Sequence, residues 1–247
     1  MSDKIYAIGD IHGELDRLKD AVKKVERDGG TDARVVFLGD YIDRGSNSKG
    51  VIEYLLDGVS ADKNWTCLLG NHDQMFSLFM EDCDIQMTVN FHWLDDRLGG
   101  KKTLASYGVE VDDTDFKQHT QARAIAAVPS EHLDFLDSLP RSLTLNDLFF
   151  AHAGIRPGVP LEQQNKDDLL WIRGEFLEDT RKHPKLVVHG HTPVENAQHY
   201  GNRVNLDTGC GYGYKLTTAV FEGSDCWVLT DEGRSPLAHG MELKEHA

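Results

Sequence analysis

Asp10 and His12 stand two residues apart directly after the apolar run Ile5-Tyr6-Ala7-Ile8, with Gly9 and Gly13 on either side. Side chains at i and i+2 of a strand end point the same way, and glycines allow a tight turn. This acid and this imidazole can therefore meet at one point and share a metal ion. Taken alone, the pair fits equally well an Asp10 helix cap followed by a loop histidine. The pattern recurs, however. Val35-Val36-Phe37-Leu38 runs into Gly39-Asp40-Tyr41-Ile42-Asp43-Arg44-Gly45, and Leu68-Leu69 runs into Gly70-Asn71-His72-Asp73. Two later runs end on histidines, Phe149-Phe150-Ala151-His152 and Val187-Val188-His189-Gly190-His191. Oxygen and imidazole donors without thiolate suit manganese, iron or zinc, and one carboxylate can bridge two ions about 3.5–4 Å apart.

These residues converge only if the apolar runs before them are neighbouring strands. Leu15, Leu18, Ala21, Val22 and Val25 recur at helical spacing between the first two runs, a second helix fits 51–56, and 65–69 makes a third strand. That βαβαβ order implies parallel strands with right-handed crossovers, whose carboxyl ends share the sheet edge where α/β sites assemble. The stretch 75–125 has mixed periodicity after a helix carrying Phe76, Phe79 and Met80, and is expected to be a helical insertion near the site. Ser130 is placed to cap a short helix carrying Leu133 and Leu136 that stops at Pro140. Strand signals then dominate, at 148–150, 186–188, 203–206, 217–221 and 226–229. They predict a second, more antiparallel sheet packed on the first, with helices outside. One domain over 1–230 is expected, followed by a mobile tail over 231–247 with few apolar residues.

Composition narrows the function. The 247 residues are 40% hydrophobic and 27% charged, ordinary for a folded domain. With 41 acidic against 26 basic residues the formal charge is −15, which repels nucleic acid and anionic lipid at long range. No nucleic-acid and no membrane partner is expected. The four cysteines show no CxxC spacing, so a disulfide scaffold or zinc ribbon is not indicated and a cytoplasmic location is expected. No basic segment leads into an export signal, and no apolar run approaches ~18 residues.

GDIHG, GDYIDRG and GNHD, followed by HAG, GHTP and LDTGC, resemble the phosphoprotein phosphatase family, the serine/threonine phosphatases of metallophosphoesterase fold, and particularly its bacterial and phage members. The likeness runs from about residue 4 to 229. It implies an α/β fold, a four-layer α/β/β/α sandwich with two mixed sheets. It implies two divalent ions, manganese first among the candidates and iron or zinc as alternatives. Asp10 and His12 then correspond to ligands of the first ion, Asp40 to the bridge, and Asn71, His152 and His191 to ligands of the second. His72 corresponds to a general acid oriented by Asp43, and Arg44 and Arg173 to groups that bind phosphoryl oxygens. The implied reaction is direct attack of a metal-bridging hydroxide on a phosphoprotein or small phosphoester.

Two other functions compete. Symmetrical diadenosine tetraphosphatases share GNHD and a late TGC segment, but resemble a pattern without an acid at the position of Asp43. An inactive scaffold would be expected to lose a ligand or the acid, and none is lost here. Among the remaining histidines, His189 reads as a structural neighbour of His191. His92, His119, His132, His183 and His199 carry no motif and read as surface residues. Tyr212 and Tyr214 are expected to line the substrate cleft, whereas Cys210 is not proposed as a nucleophile.

Overall fold

Ile5–Ile8 (β1) is buried at every position, as a strand covered on both faces requires. The computed structural model describes residues 4–84 and 92–237. Leu15–Gly29 (α1) buries Leu18, Ala21, Val22 and Val25. Arg34–Phe37 (β2) then pairs in parallel with β1, Ile8 opposite Phe37. Asn47 caps Ser48–Ser60 (α2) by accepting the Gly50 amide at 3.0 Å. Trp65–Cys67 (β3) adds in parallel to β2 and leads directly into Asn71–Glu81 (α3).

Three helices follow among the described residues: Gly100–Ser106 (α4), Lys117–Ala127 (α5) and Ser130–Ser138 (α6). Helices therefore occupy parts of the stretch 75–125 where an insertion was expected, and residues 85–91 lie outside the described residues. Ser130 is not the cap of α6. Pro129 holds that position, with φ −59° and ψ 135°, and no side chain caps the first turn. The proline ring fixes φ at the helix entry without any capping bond.

The chain then builds the second sheet from Ser142–Leu145 (β4), Leu148–Ala151 (β5), Leu186–His189 (β6), Gln198–His199 (β7) and Arg203–Asn205 (β8). Between β5 and β6 lie Lys166–Trp171 (α7) and Gly174–Leu177 (α8). Thr218–Glu222 (β9), Asp225–Thr230 (β10) and Gly233–Pro236 (β11) complete the set. The strand orders are β11-β10-β9-β1-β2-β3 and β4-β5-β6-β8-β7.

This corrects the expected division of the strands. β9 pairs antiparallel with β1, so the last strands return to the first sheet, while the centre of the second sheet is parallel, β5 with β6 and β6 with β8. Strand signals give pairing propensity and not partners, and the partner of β9 lies more than 200 residues away at Ile5↔Phe221. The tail is corrected in part, because β11 pairs with β10 across Thr230↔Gly233 and continues the sheet past residue 230. Residues 238–247 lie outside the described residues.

Alternation along the strands produces four layers. Tyr6, Ile8, Val35 and Phe37 face the core shared with α1, α2 and α3. Ile5, Ala7 and Val36 face Leu148, Phe150, Val188 and Val204 between the sheets. Phe149, Ala151 and Val187 face Leu169 and Phe176 of α7 and α8. Period-two alternation thus assigns each strand residue to an inner or an outer core.

Candidate metal centre

The carboxyl ends of β1, β2, β3, β5 and β6 meet at one edge of the two sheets. Asp10 and His12 follow β1, Asp40 follows β2, Asn71 and His72 open α3, His152 follows β5, and His191 follows β6. All are buried, as is Asp43. Main-chain bonds tie the strand ends together: the Ile11 and His12 amides donate to the Asp40 carbonyl at 3.0 and 2.8 Å. Across the sheets, the His191 amide donates to Asp10 Oδ2 at 3.0 Å. A Cβ at Gly190 would collide with Asp10 Oδ1, so only glycine lets these two strand ends approach.

The loops are held in an unfavourable backbone conformation. His12, Asp40, Asp43, Arg44 and His191 all have positive φ, between 50° and 71°, in the left-handed region that residues with a Cβ rarely adopt. Each costs on the order of 1 kcal/mol or more, a strain that concentrates at functional sites.

The histidine tautomers follow from their partners. His12 Nδ1 lies 2.8 Å from the Ile42 carbonyl and His152 Nδ1 lies 2.9 Å from the Leu38 carbonyl. A carbonyl only accepts, so each Nδ1 carries the proton and each Nε2 presents a lone pair. Asp40 stands between these lone pairs, Oδ2 at 3.5 Å from His12 Nε2 and Oδ1 at 3.4 Å from His152 Nε2. Asn71 Oδ1 lies 2.8 Å from His152 Nε2 and 2.7 Å from His191 Nδ1. Asp10 Oδ1 and His191 Nε2 are buried without a hydrogen-bond partner.

Buried acceptors facing one another, two of them orphaned, are costly unless a cation lies among them. Their chemistry, oxygen and imidazole without thiolate, fits manganese, iron or zinc. Two groups can each bring ligand atoms within 4.8 Å of one another: Asp10, Asp40 and His152, and His12, Asp40 and His72. Asp40 belongs to both, as a bridging carboxylate must. Asp10 and His12 fall in different groups that share Asp40.

The electrostatics point the same way. Burial, then the nearby Asp207 and Asp40, push the Asp10 carboxyl well above its ordinary pKa. Burial also opposes the charged form of Asp40, but the surrounding imidazoles, His152 foremost, win and hold it ionised far below the usual carboxylate range. Burial lowers His12, His152 and His191, with Arg44 adding to the effect at His12 and His152 at His191. A divalent cation would take over the role of imidazole charge, leaving Asp40 ionised and the imidazoles neutral and free to ligate.

With Asp43 fully buried behind His72, the side chains of His72, Arg44 and Arg173 line a cavity of about 100 Å³ beside this cluster. Its lining includes Asp40, Arg44, Asn71, His72, Arg173, His191 and Tyr212. His72 Nδ1 lies 2.6 Å from Asp43 Oδ2, and His72 Nε2 lies 3.0 Å from Arg44 Nη2. Arg44 Nη1 also closely contacts His12 Nε2. Arg173, in the turn between α7 and α8, faces the same cavity from the second sheet's side. Tyr212 is there too, 58% exposed, its ring 4.8 Å from the Arg44 guanidinium carbon. Tyr214 is 68% exposed but does not line the cavity.

Three residues of consequence were missed in the sequence. Asp73 accepts the Asp40, Tyr41 and Gly70 amides, each at 2.9 Å, which fixes the loop carrying the bridge. Trp93 and Thr103 reach Asp43 from the insertion. The acid of GNHD was a visible signal for Asp73; nothing in the periodicity marks the other two. Three histidines expected at the surface are buried, His132, His183 and His199; Tyr107, Asn202 and the Gly201 amide supply their respective partners. His189 is buried edge-on to Phe176, and Cys210 is buried with its thiol pushed up to about 12, an inert form.

A two-sheet sandwich with buried aspartates, histidines and an asparagine at its strand ends defines a metallophosphoesterase. The model of the calcineurin-like phosphoesterases matches residues 3–221, and the chain belongs to that family. A curated relative from Oceanobacillus iheyensis, named as the asymmetrical bis(5'-nucleosyl)-tetraphosphatase PrpE, is 27% identical over 88% of each chain. Among solved structures, a cold-active protein-tyrosine phosphatase of a psychrophilic Shewanella superposes with a TM-score of 0.62 at 18% identity, covering 96% of this chain and 81% of the other. At that identity the likeness shows the fold. No helix among the described residues is long and apolar enough to cross a membrane.

Proposed function

We propose that this chain is a dinuclear-metal phosphomonoesterase that hydrolyses phosphoserine and phosphothreonine esters. The observation that carries the reading is His72, backed at 2.6 Å by the buried Asp43 and lining, with Arg44 and Arg173, the cavity that Asp40, Asn71 and His191 also line. Asp10, His12, Asp40, Asn71, His152 and His191 would hold two divalent ions, manganese first, which supply positive charge and an acidified water. Arg44 and Arg173 bind the equatorial phosphoryl oxygens and offset the charge that develops on them. Arg44 Nη2 and His72 Nε2 are 3.0 Å apart, so the ester enters against both. Asp43 accepts the His72 Nδ1 proton and so directs the Nε2 proton toward the departing oxygen.

A second reading is favoured by Tyr212. An exposed ring beside Arg44 offers a flat face on which a base can stack while the arginine holds phosphate, which fits the dinucleoside tetraphosphate in the relatives' name. The retained Asp43 separates both readings from the symmetrical tetraphosphatases, and the complete donor set argues against an inactive scaffold.

The test is kcat/KM of the manganese-loaded protein on a phosphoserine peptide, a phosphotyrosine peptide and diadenosine tetraphosphate. The first reading expects the peptide esters, phosphoserine foremost, to be preferred. Preference for the dinucleotide with ATP and AMP as products replaces it with the second, and no turnover of any substrate by metal-bound protein leaves the scaffold.

A further inference from the structure

Asp43 is fully buried, and its carboxylate is surrounded by donors. Oδ2 accepts Trp93 Nε1–H at 3.0 Å and the His72 Nδ1 proton at 2.6 Å, while Oδ1 accepts the Thr103 hydroxyl at 2.6 Å. The Asp43 amide in turn donates to Thr103 Oγ1 at 2.9 Å and to Ser48 Oγ at 3.1 Å. Thr103 therefore grips both ends of one residue whose φ is 71°. Trp93 is itself immobile. It is fully buried and packs against Phe76 and Phe79 at ring distances of 5.1 and 5.0 Å. Gly99 and Gly100 complete the enclosure. A Cβ on Gly99 would collide with the Arg44 amide, and one on Gly100 would lie 2.6 Å from the Trp93 ring.

We propose that Trp93 and Thr103 are positioning residues for the acid dyad, so that the insertion is part of the catalytic apparatus rather than only a wall of the cleft. The inference rests on the phosphomonoesterase reading for its kinetic consequence, though its geometry stands apart. A carboxylate with one donor can rotate about its Cβ–Cγ bond and change which lone pair meets the imidazole. With both oxygens engaged from the insertion, one lone pair remains aimed at His72 Nδ1, and the ring plane is fixed through it. In the reaction, the water oxygen forms a new bond to phosphorus while the bond from phosphorus to the ester oxygen breaks. That departing oxygen keeps the bonding electron pair and takes the proton from His72 Nε2. A misplaced ring hurts most where the departing oxygen is a poor leaving group and needs the proton early.

The variants Trp93→Phe and Thr103→Val each delete one donor, the second at nearly constant volume, and Thr103→Ser restores the hydroxyl. General acids contribute roughly 100-fold or more, so partial misplacement is expected to lower kcat on a phosphoserine peptide about tenfold for each deletion variant. KM should stay within about twofold of wild type, and loss on p-nitrophenyl phosphate should be about threefold or less because its leaving group needs little protonation. Thr103→Ser should recover at least half the wild-type rate. Equal losses on both esters, or no loss on the alkyl ester, overturn the proposal.

The second measurement needs no turnover. A downfield proton signal assigned to His72 Nδ1–H by its loss in His72→Asn should move upfield in Trp93→Phe and Thr103→Val, and hold its place in Thr103→Ser. An unmoved signal in both deletion variants also overturns the clamp. If the signal moves while wild type hydrolyses neither ester, the clamp holds and the phosphomonoesterase reading fails. Should Trp93→Phe not fold, the paired threonine variants decide by both measurements.

Discussion

At the scale of single residues, the motif positions were legible because each acid, amide or imidazole stood directly after an apolar run, where the backbone must leave the sheet. Asp10 shows what that placement costs. Its carboxylate is buried beside Asp207 and Asp40 and one of its oxygens has no partner, so the charged form is penalised in the metal-free protein. Asp10→Asn removes the charge and keeps an oxygen able to accept the His191 amide. It is expected to stabilise the metal-free protein by on the order of 1 kcal/mol, while lowering the bound metal below two ions per chain. Thermal unfolding in chelator, with elemental analysis after manganese loading, checks both halves. Unchanged metal content removes Asp10 from the ligand set. What the sequence hid at this scale was partnership: Trp93 lies 50 positions from Asp43 and Thr103 lies 60 away, and neither follows a strand.

Among the elements, the βαβαβ start was readable from its periods, since β1 and nearly all of β2 are buried on both faces and α1 carries a single buried stripe. The start of α3 was less so, because its first turn is polar and carries the site. Asp73 there accepts three amides from two different loops, joining the N-terminus of α3 to the loop after β2. Burial and the neighbouring Asp40 raise its pKa, and the amides work against that rise. Asp73→Asn retains one accepting oxygen but turns an NH2 toward backbone donors, leaving at least one buried amide unsatisfied. The expected loss is about 2–3 kcal/mol in urea unfolding, with Asp40 displaced enough to weaken manganese uptake. A loss under about 0.5 kcal/mol with unchanged uptake would show that the loop holds its shape without this acid. The insertion could be placed near the site but not given a task, because mixed periodicity signals irregular packing and says nothing of which side chain turns inward.

Over the whole molecule, two sheets were foreseen and their membership was not, since β9 joins β1 across nearly the full length of the chain. The same closure holds the segment first read as a tail. Arg234 on β11 makes two bonds to Asp28 near the end of α1, at 2.7 and 2.6 Å, and Tyr6 of β1 donates to the same carboxylate at 2.6 Å. The Arg234 guanidinium is the main cause of the lowered Asp28 pKa, with burial opposing it and Tyr6 and Lys4 assisting. An acid whose folded pKa is depressed contributes stability that is present above its unfolded value, about 3.9, and is lost as pH falls through the folded one. Arg234→Met should therefore cost about 1 kcal/mol at pH 7, a modest figure because both partners keep roughly a fifth or more of their side chains exposed. That gap should narrow once the pH passes below about 4 and close further down. Urea unfolding of both proteins at pH 7, 5 and 3.5 reads it directly. A gap that stays constant across these pH values would assign the loss to the packing of the arginine stem over Trp227, whose ring lies 5.7 Å from the guanidinium carbon, instead of to charge.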